Sequence, residues 1–210
     1  MKIRLHLAIH LFSLLLILYL TYELKEKIFN KIAHYLSADI VMFGDSITYS
    51  GDWMQGLSRI DVINSGKSSF TTSHFVSILN NSVLMFHPKI CFLEGGINDI
   101  GVGIPLKRTY HNYTTIVDTL LSHNIEPVLQ STLYINQTDD TTTNSKVDSL
   151  NAFLQNLALS RHLHYINLNQ HLSSNKQLKQ EYTTDGVHLE EDAYKFWFQE
   201  VKKTLQMKNI

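Results

Sequence analysis

From residue 38 onward the chain alternates short apolar runs with polar breaks and longer amphipathic stretches. The runs "DIVMFG" (39–44), "IDVINSG" (60–66), "KICFLEGG" (89–96), "IEPVLQSTLY" (125–134) and "LHYINL" (163–168) have the length and apolar content of strands. Helical spacing of apolar residues covers 70–86, 107–123, 145–160 and 190–207. The last of these opens with Glu190, Glu191 and Asp192 and ends near Lys202 and Lys203, charges that match a helix dipole. Strands alternating with helices at this interval predict right-handed βαβ units, and so an α/β fold whose parallel sheet is covered on both faces. The polar stretch "NQTDDTTTNSK" (136–146) predicts a loop, with Asp139 and Asp140 as a solvated pair.

The N-terminus follows another pattern. Residues 5–22, which include "LFSLLLILYL", contain no Asp, Glu, Lys or Arg. That length suits a bilayer-spanning helix better than the apolar core of a signal peptide, and no small-x-small cleavage site follows it. The expected organisation is a signal anchor or transmembrane segment over 1–22, an amphipathic helical stalk over 23–37 and a globular domain over 38–210. His6 and His10 lie one helical turn apart and read as neutral side chains near the interface. Lys2 and Arg4 before the segment are balanced by Lys25, Lys27 and Lys31 after it, so basic residues do not fix its orientation. The domain is expected outside the cytoplasm, the usual purpose of a short N-terminal anchor.

Composition narrows the classes. A hydrophobic content of 44% and a charged content of 18% suit a sizeable core, and a net charge of −1 gives no basic surface for nucleic acid. The single Cys91 cannot form an internal disulfide. His162 and His164 alternate along a strand without a third ligand, so no metal site is expected. "GKSS" lacks the glycine pattern of a phosphate loop.

Chemistry gathers at one edge. In an open α/β sheet, ligands bind beyond the carboxyl ends of the strands. The breaks after the first three strands, "GDSIT", "NSGKSSFTT" and "GGINDIG", would meet there, and "TTDGVHLEED" (183–192) can fold back over the same edge. Ser46 is placed as a nucleophile, His188 as its base, and Asp185 as the group that orients the imidazole. The Asn98 amide and backbone N–H groups of Ser46 and the 64–72 loop can serve an oxyanion. Each residue also has a plainer reading. Ser46 fits a helix N-cap, Asp45 a turn former, Asn98 a turn residue and Asp99 a cap on the following segment. Gln130 fits either a substrate contact or a buried amide satisfied by backbone.

These four blocks, in this order, resemble the SGNH (GDSL) hydrolases, serine esterases named for Ser, Gly, Asn and His. "FGDSIT" matches the first block with Ser46. "GGINDI" matches the third with Gly96, Asn98 and Asp99, and "TTDGVHL" matches the last with Asp185 and His188. The resemblance spans about 39–205. It implies a flavodoxin-like three-layer α/β/α sandwich with about five parallel strands, a Ser46–His188–Asp185 triad, and an oxyanion hole formed by Ser46, Ser69 and Asn98. The second block departs from the family. Ser69 stands where a glycine normally donates its N–H, leaving Gly66 as the alternative donor. The implied activity is hydrolysis of a carboxylic ester through an acyl-Ser46 intermediate, with no metal or organic cofactor. The partner would be a small-molecule, glycan or lipid ester, with short acyl groups on carbohydrate favoured. A lysophospholipase, a thioesterase, an acyltransferase and a catalytically silent membrane-tethered module remain as alternatives.

Overall fold

The computed structural model describes residues 13–17, 19–22, 24–25, 38–136 and 141–210. The chain divides into two compact units, Met1–Ser37 and Ala38–Ile210. In the first, the described residues are helical. Among the described residues no helix is long and apolar enough to cross a membrane. The remainder of the expected anchor and stalk, with His6 and His10, lies outside the described residues, as do Asp139 and Asp140.

The second unit is built on five parallel strands: β1 (Ile40–Gly44), β2 (Val62–Gly66), β3 (Ile90–Leu93), β4 (Glu126–Gln130) and β5 (His164–Ile166). Their order is β2-β1-β3-β4-β5. Every residue of β1 and β3 is buried, which is why these runs are apolar without alternation. Pro127 sits in β4 without breaking the sheet. Pairing with β5 starts one residue later, at Val128↔His164, so no ladder partner on that side is lost.

Register shows how the faces are covered. Phe43, Leu93 and Leu129 are in-register neighbours and point the same way. Phe43 packs on Phe75 of helix Thr72–Ser82, with ring centroids 5.0 Å apart. Gln130 follows Leu129 and faces the opposite side, where it accepts a hydrogen bond from Trp197 of helix Glu191–Lys208 at 2.6 Å. Trp197 in turn meets Trp53 edge to face at 4.9 Å. The result is a three-layer α/β/α sandwich.

The expected elements differ from the observed ones mainly at their ends. The fourth run continues to residue 134 in sequence, but β4 stops at Gln130. Beyond it the chain stays extended without a ladder, and asparagine side chains replace neighbouring strands. Asn151 binds both backbone groups of Thr132, at 2.8 and 2.9 Å, and Asn144 binds both of Ile135, at 2.9 and 2.9 Å. Asn169 donates to Thr132 O at 2.8 Å and accepts from Tyr134 N at 3.1 Å. The same clamp holds residues 141–144 in the helix Thr141–Ser160, where the sequence predicts a loop, despite weak helix formers. Short helices at Ser46–Tyr49, Trp53–Leu57, Ile97–Gly101 and Asn169–Leu172, and a small hairpin at 173–178, add to the expected elements.

Asn144→Ala strands the N–H and C=O of the buried Ile135. Each unpaired buried group costs about 1–3 kcal/mol. Thermal or urea denaturation of Asn144→Ala will show a loss of roughly 2–4 kcal/mol, far above the few tenths typical of an exposed asparagine.

Candidate active site

The order of strands reverses between β1 and β3, the point at which an open α/β sheet leaves a crevice at its carboxyl edge. Ser46 leaves β1 and Asn98 leaves β3 at this crevice. The cap of the Ser46 helix is Asp45, not Ser46. Asp45 Oδ1 accepts from Ile47 N at 2.9 Å. The Ser46 hydroxyl is therefore released from capping, and it lies 3.0 Å from His188 Nε2.

The other imidazole nitrogen, Nδ1, lies 2.6 Å from Asp185 Oδ2. Asp185 Oδ1 accepts from the N–H groups of Val187 and His188, each at 2.8 Å. Partial burial pushes the Asp185 carboxyl up, but the His188 ring, these two N–H groups and the imidazole charge outweigh it and hold the group well below the usual carboxylate range. An ionised carboxylate only accepts, so Nδ1 must be the donor and Nε2 is left to accept from Ser46 Oγ–H. The loop carrying both residues is tied down on either side. Thr183 Oγ1 accepts from Gly186 N at 2.9 Å, and Asn136 N donates to Gly186 O at 2.7 Å.

The prospective oxyanion donors come from three segments, those that follow β1, β2 and β3. Ser69 has φ +64° at the third position of a turn closed by Phe70 N donating to Lys67 O at 3.3 Å. That position of a type II turn favours glycine, and here a serine occupies it. Among the described residues the Ser46 and Ser69 N–H groups have no acceptor in the protein. Asn98 Nδ2 spends one hydrogen on Phe70 O, at 3.0 Å, and retains another. Gly66 is otherwise committed, because its N–H donates to Asn64 Oδ1 at 3.0 Å. Gly96 holds the turn before Asn98 at φ +107°, where a Cβ would also lie 2.6 Å from the Leu150 side chain.

Two sequence readings are corrected. Asp99 does not serve mainly as a cap. It is fully buried and accepts from Thr72 N at 2.8 Å, Thr72 Oγ1 at 2.5 Å and Thr109 Oγ1 at 3.2 Å, fastening the segment after Ser69 to the short helix Ile97–Gly101 that follows β3. Gln130 neither faces solvent nor bonds backbone. Its carbonyl takes the Trp197 indole, and its Nε2 has no partner among the described residues. Among the described residues no three or more His, Cys, Asp or Glu are grouped so as to hold a metal ion.

Beneath Ser46, Asp45 is joined by a second buried acid, Glu94, that sequence reading missed. Glu94 is fully buried, and its Oε2 accepts from Thr48 Oγ1 at 3.2 Å. Its Oε1 and Asp45 Oδ2 have no hydrogen-bond partner among the described residues. Burial raises Glu94 well above the ordinary range, and the Asp45 charge adds to it. Burial also pushes Asp45 up, to about 7, against the Ile47 N–H and the His188 charge, which lower it. The available signal was a lone charge inside the apolar run "ICFLEGG".

The sequence profile of the GDSL-like lipase/acylhydrolase family matches residues 42–196. An N-acylneuraminate cytidylyltransferase of Streptococcus agalactiae serotype III (strain NEM316) is 23% identical over 84% of this chain. The chain spans only 41% of that protein's length. Among solved structures, a GDSL-like lipase from Bacteroides thetaiotaomicron VPI-5482 superposes with a TM-score of 0.74 at 21% identity, covering 83% of this chain and 90% of the other. An acetyl xylan esterase, AlAXEase, superposes with a TM-score of 0.68 at 17% identity, covering 79% and 98%. At these identities the structural likeness is one of fold.

The acid pair makes a pH prediction. Above about pH 4 an unfolded chain has released both protons, while the folded chain keeps them. The folded pKa values are raised, so this stabilisation is complete below about pH 4. It is lost as pH rises through about 7 for Asp45 and through the raised value of Glu94. Glu94→Gln keeps an acceptor for Thr48 without an ionisable group. Its melting temperature will fall less than the parent's, by a few degrees, between about pH 5 and pH 8.5 in calorimetry. Parallel declines in the two proteins would contradict a buried proton on Glu94.

Proposed function

From the premise that the chain belongs to the GDSL-like lipase/acylhydrolase family, whose members are ester hydrolases, we propose that it cleaves carboxylic esters through an acyl-Ser46 intermediate. The observation that carries this reading is the continuous hydrogen-bonded line from Ser46 Oγ through His188 to Asp185, at 3.0 and 2.6 Å. Attack by Ser46 Oγ on the ester carbonyl passes its proton to His188 Nε2, and ionised Asp185 stabilises the resulting imidazolium. The tetrahedral oxyanion is met by the N–H groups of Ser46 and Ser69 and by the remaining Asn98 amide hydrogen. Collapse expels the alcohol with the proton from His188. A water activated by the same imidazole then releases the acid and restores Ser46. This route uses side chains and backbone only.

The proposed substrates carry short acyl groups, acetyl above all, on a carbohydrate alcohol. The fold is shared with an acetyl xylan esterase, and the relative from S. agalactiae is named for an acylated sugar. We also propose that residues 1–22 anchor the enzyme in a membrane, with the hydrolase domain outside the cytoplasm. What supports this is the run of uncharged residues at 5–22. Within it, Leu14, Leu15, Leu16, Ile17, Tyr19 and Leu20 are exposed on successive helical positions and so on every face.

Two measurements test these readings. The full chain will hydrolyse p-nitrophenyl acetate faster than the butyrate and the octanoate, and Ser46→Ala will lower kcat by at least about 10³-fold without loss of fold. Equal rates in the two folded proteins would sink the acyl-Ser46 route, and a preference for octanoate would move the substrate to lipids. In the same assay Ser69→Gly will keep or raise kcat, because glycine holds φ +64° without a Cβ. For the anchor, the full chain will stay with the membrane pellet after alkaline carbonate extraction while residues 38–210 remain in the supernatant. Release of the full chain would refute it.

A further inference from the structure

Glu94 and Gln130 each follow the last paired residues of β3 and β4, Leu93 and Leu129, and so stand side by side on one face of the sheet at its carboxyl edge. Both are fully buried. Glu94 Oε2 accepts at 3.2 Å from Thr48 Oγ1, on the helix that begins with Ser46. Gln130 Oε1 accepts at 2.6 Å from Trp197 Nε1, on the helix that begins three residues after His188. We propose that Glu94 is a positioning residue: with Gln130 it holds the Ser46 helix and the last helix at the separation that lets Ser46 meet His188. This inference rests on the ester-hydrolase reading.

The two helices are already linked through backbone carbonyls. Tyr194 OH donates to Ile47 O at 2.6 Å, and Trp53 Nε1 donates to Thr48 O at 2.8 Å while its ring meets Trp197. The side-chain bonds of Glu94 and Gln130 extend that link to the sheet itself. Gly44 leaves the space for it, since a Cβ there would lie 2.1 Å from Thr48 Oγ1 and 2.6 Å from Glu94 O. Packing alone does not call for an acid at this place. The whole of β3 is apolar, and Glu94 Oε1 and Gln130 Nε2 have no partner among the described residues. Apolar side chains of the same shape would be buried at no loss of stability or with a gain. The titratable groups around Glu94 are Asp45 after β1, Tyr113 of helix Leu106–Ser122 and Tyr194 of the last helix. Asp45 in turn feels His188 and Asp99. None of the three groups around Glu94 is a cation, so the buried acid keeps its proton and bonds as a neutral group.

The test compares the full chain with two variants, Glu94→Gln and Thr48→Val/Glu94→Leu, on p-nitrophenyl acetate. The double variant removes both partners of one bond, so neither is left unpaired. At neutral pH it is expected to melt at or above the parent's temperature. Its kcat is expected to fall about 10- to 100-fold, with KM within about twofold of the parent. Glu94→Gln, neutral and of the same shape, is expected to retain kcat within about threefold and to leave the acidic limb of the pH–rate profile unmoved. Undiminished kcat in the folded double variant, or a loss of kcat only alongside a lowered melting temperature, would overturn the proposal. So would an acidic limb displaced downward by about half a unit or more in Glu94→Gln, the mark of an ionised Glu94 acting on the imidazole by charge. Crystal structures of the parent and the double variant read the same claim without turnover. The Ser46 Oγ–His188 Nε2 separation is expected to widen beyond the roughly 3.2 Å of hydrogen-bond reach. A separation that stays at 3.0 Å overturns the proposal. Should the folded parent hydrolyse no ester, the hydrolase reading fails, and this separation alone decides whether Glu94 positions the pair.

Discussion

A parallel sheet must end all its strands on one edge, and at that edge the backbone ladder stops. Every N–H and C=O beyond it needs another partner or bears a desolvation penalty. This chain meets the requirement with asparagine and aspartate side chains. Asn64 donates to Tyr49 O and Gly51 O and accepts from Gly66 N. Asn98 takes Phe70 O, Asn151 and Asn169 share Thr132, and Asn144 holds Ile135. Asp45, Asp99 and Asp185 each accept backbone N–H groups in the turn they serve. The constellation around Ser46 is thus part of the same accounting: the groups that satisfy the edge also fix where the reactive atoms stand.

This explains which features were legible in the sequence. The central strands β1 and β3 could be read because a strand buried on both faces is a continuous apolar run, and the amphipathic helices because one face must meet the sheet. Ser46, Asn98, Asp185 and His188 were visible as polar breaks at predictable strand ends. The partners they acquire were not visible. Asp99 looked like a local cap, yet it bonds Thr72, which precedes it by a whole strand and helix. The one-turn helix Ser46–Tyr49 was illegible because four residues hold no period, and its stability comes from Asp45 and from packing. The helical state of residues 141–144 was equally hidden. Their sequence argues for a loop, and a clamp on Ile135 from within the helix overrides that preference.

Asp45 and Glu94 place an unusual demand on the core. Two carboxyl groups are buried beneath the candidate nucleophile, and both are shifted toward their neutral forms by burial. A neutral Asp45 leaves Asp185 as the ionised carboxylate that bonds the His188 ring. The imidazole charge lowers Asp45, so proton transfer from Ser46 to His188 would favour release of the Asp45 proton as well. The site's electrostatics therefore extend below the three residues that bond one another, into the layer that supports the Ser46 helix.

The Ser69 turn shows how such an edge can hold a residue away from its preferred backbone. A left-handed conformation costs an L-residue about 1–2 kcal/mol, and it persists where the surroundings over-determine it. Here the loop is held on both sides of Ser69. Lys67 N donates to Gly44 O at 2.9 Å on one side, while Asn98 binds Phe70 O and Asp99 binds Thr72 N on the other. Each of these bonds is worth about 0.5–1.5 kcal/mol, and more where a carboxylate accepts, so together they exceed the strain. Since the N–H belongs to the backbone, the side chain at this position matters only through the conformation it permits. A serine can therefore present the same donor as a glycine, provided Asn98 and Asp99 stay in place. That makes the two residues after Ile97 the true determinants of the loop.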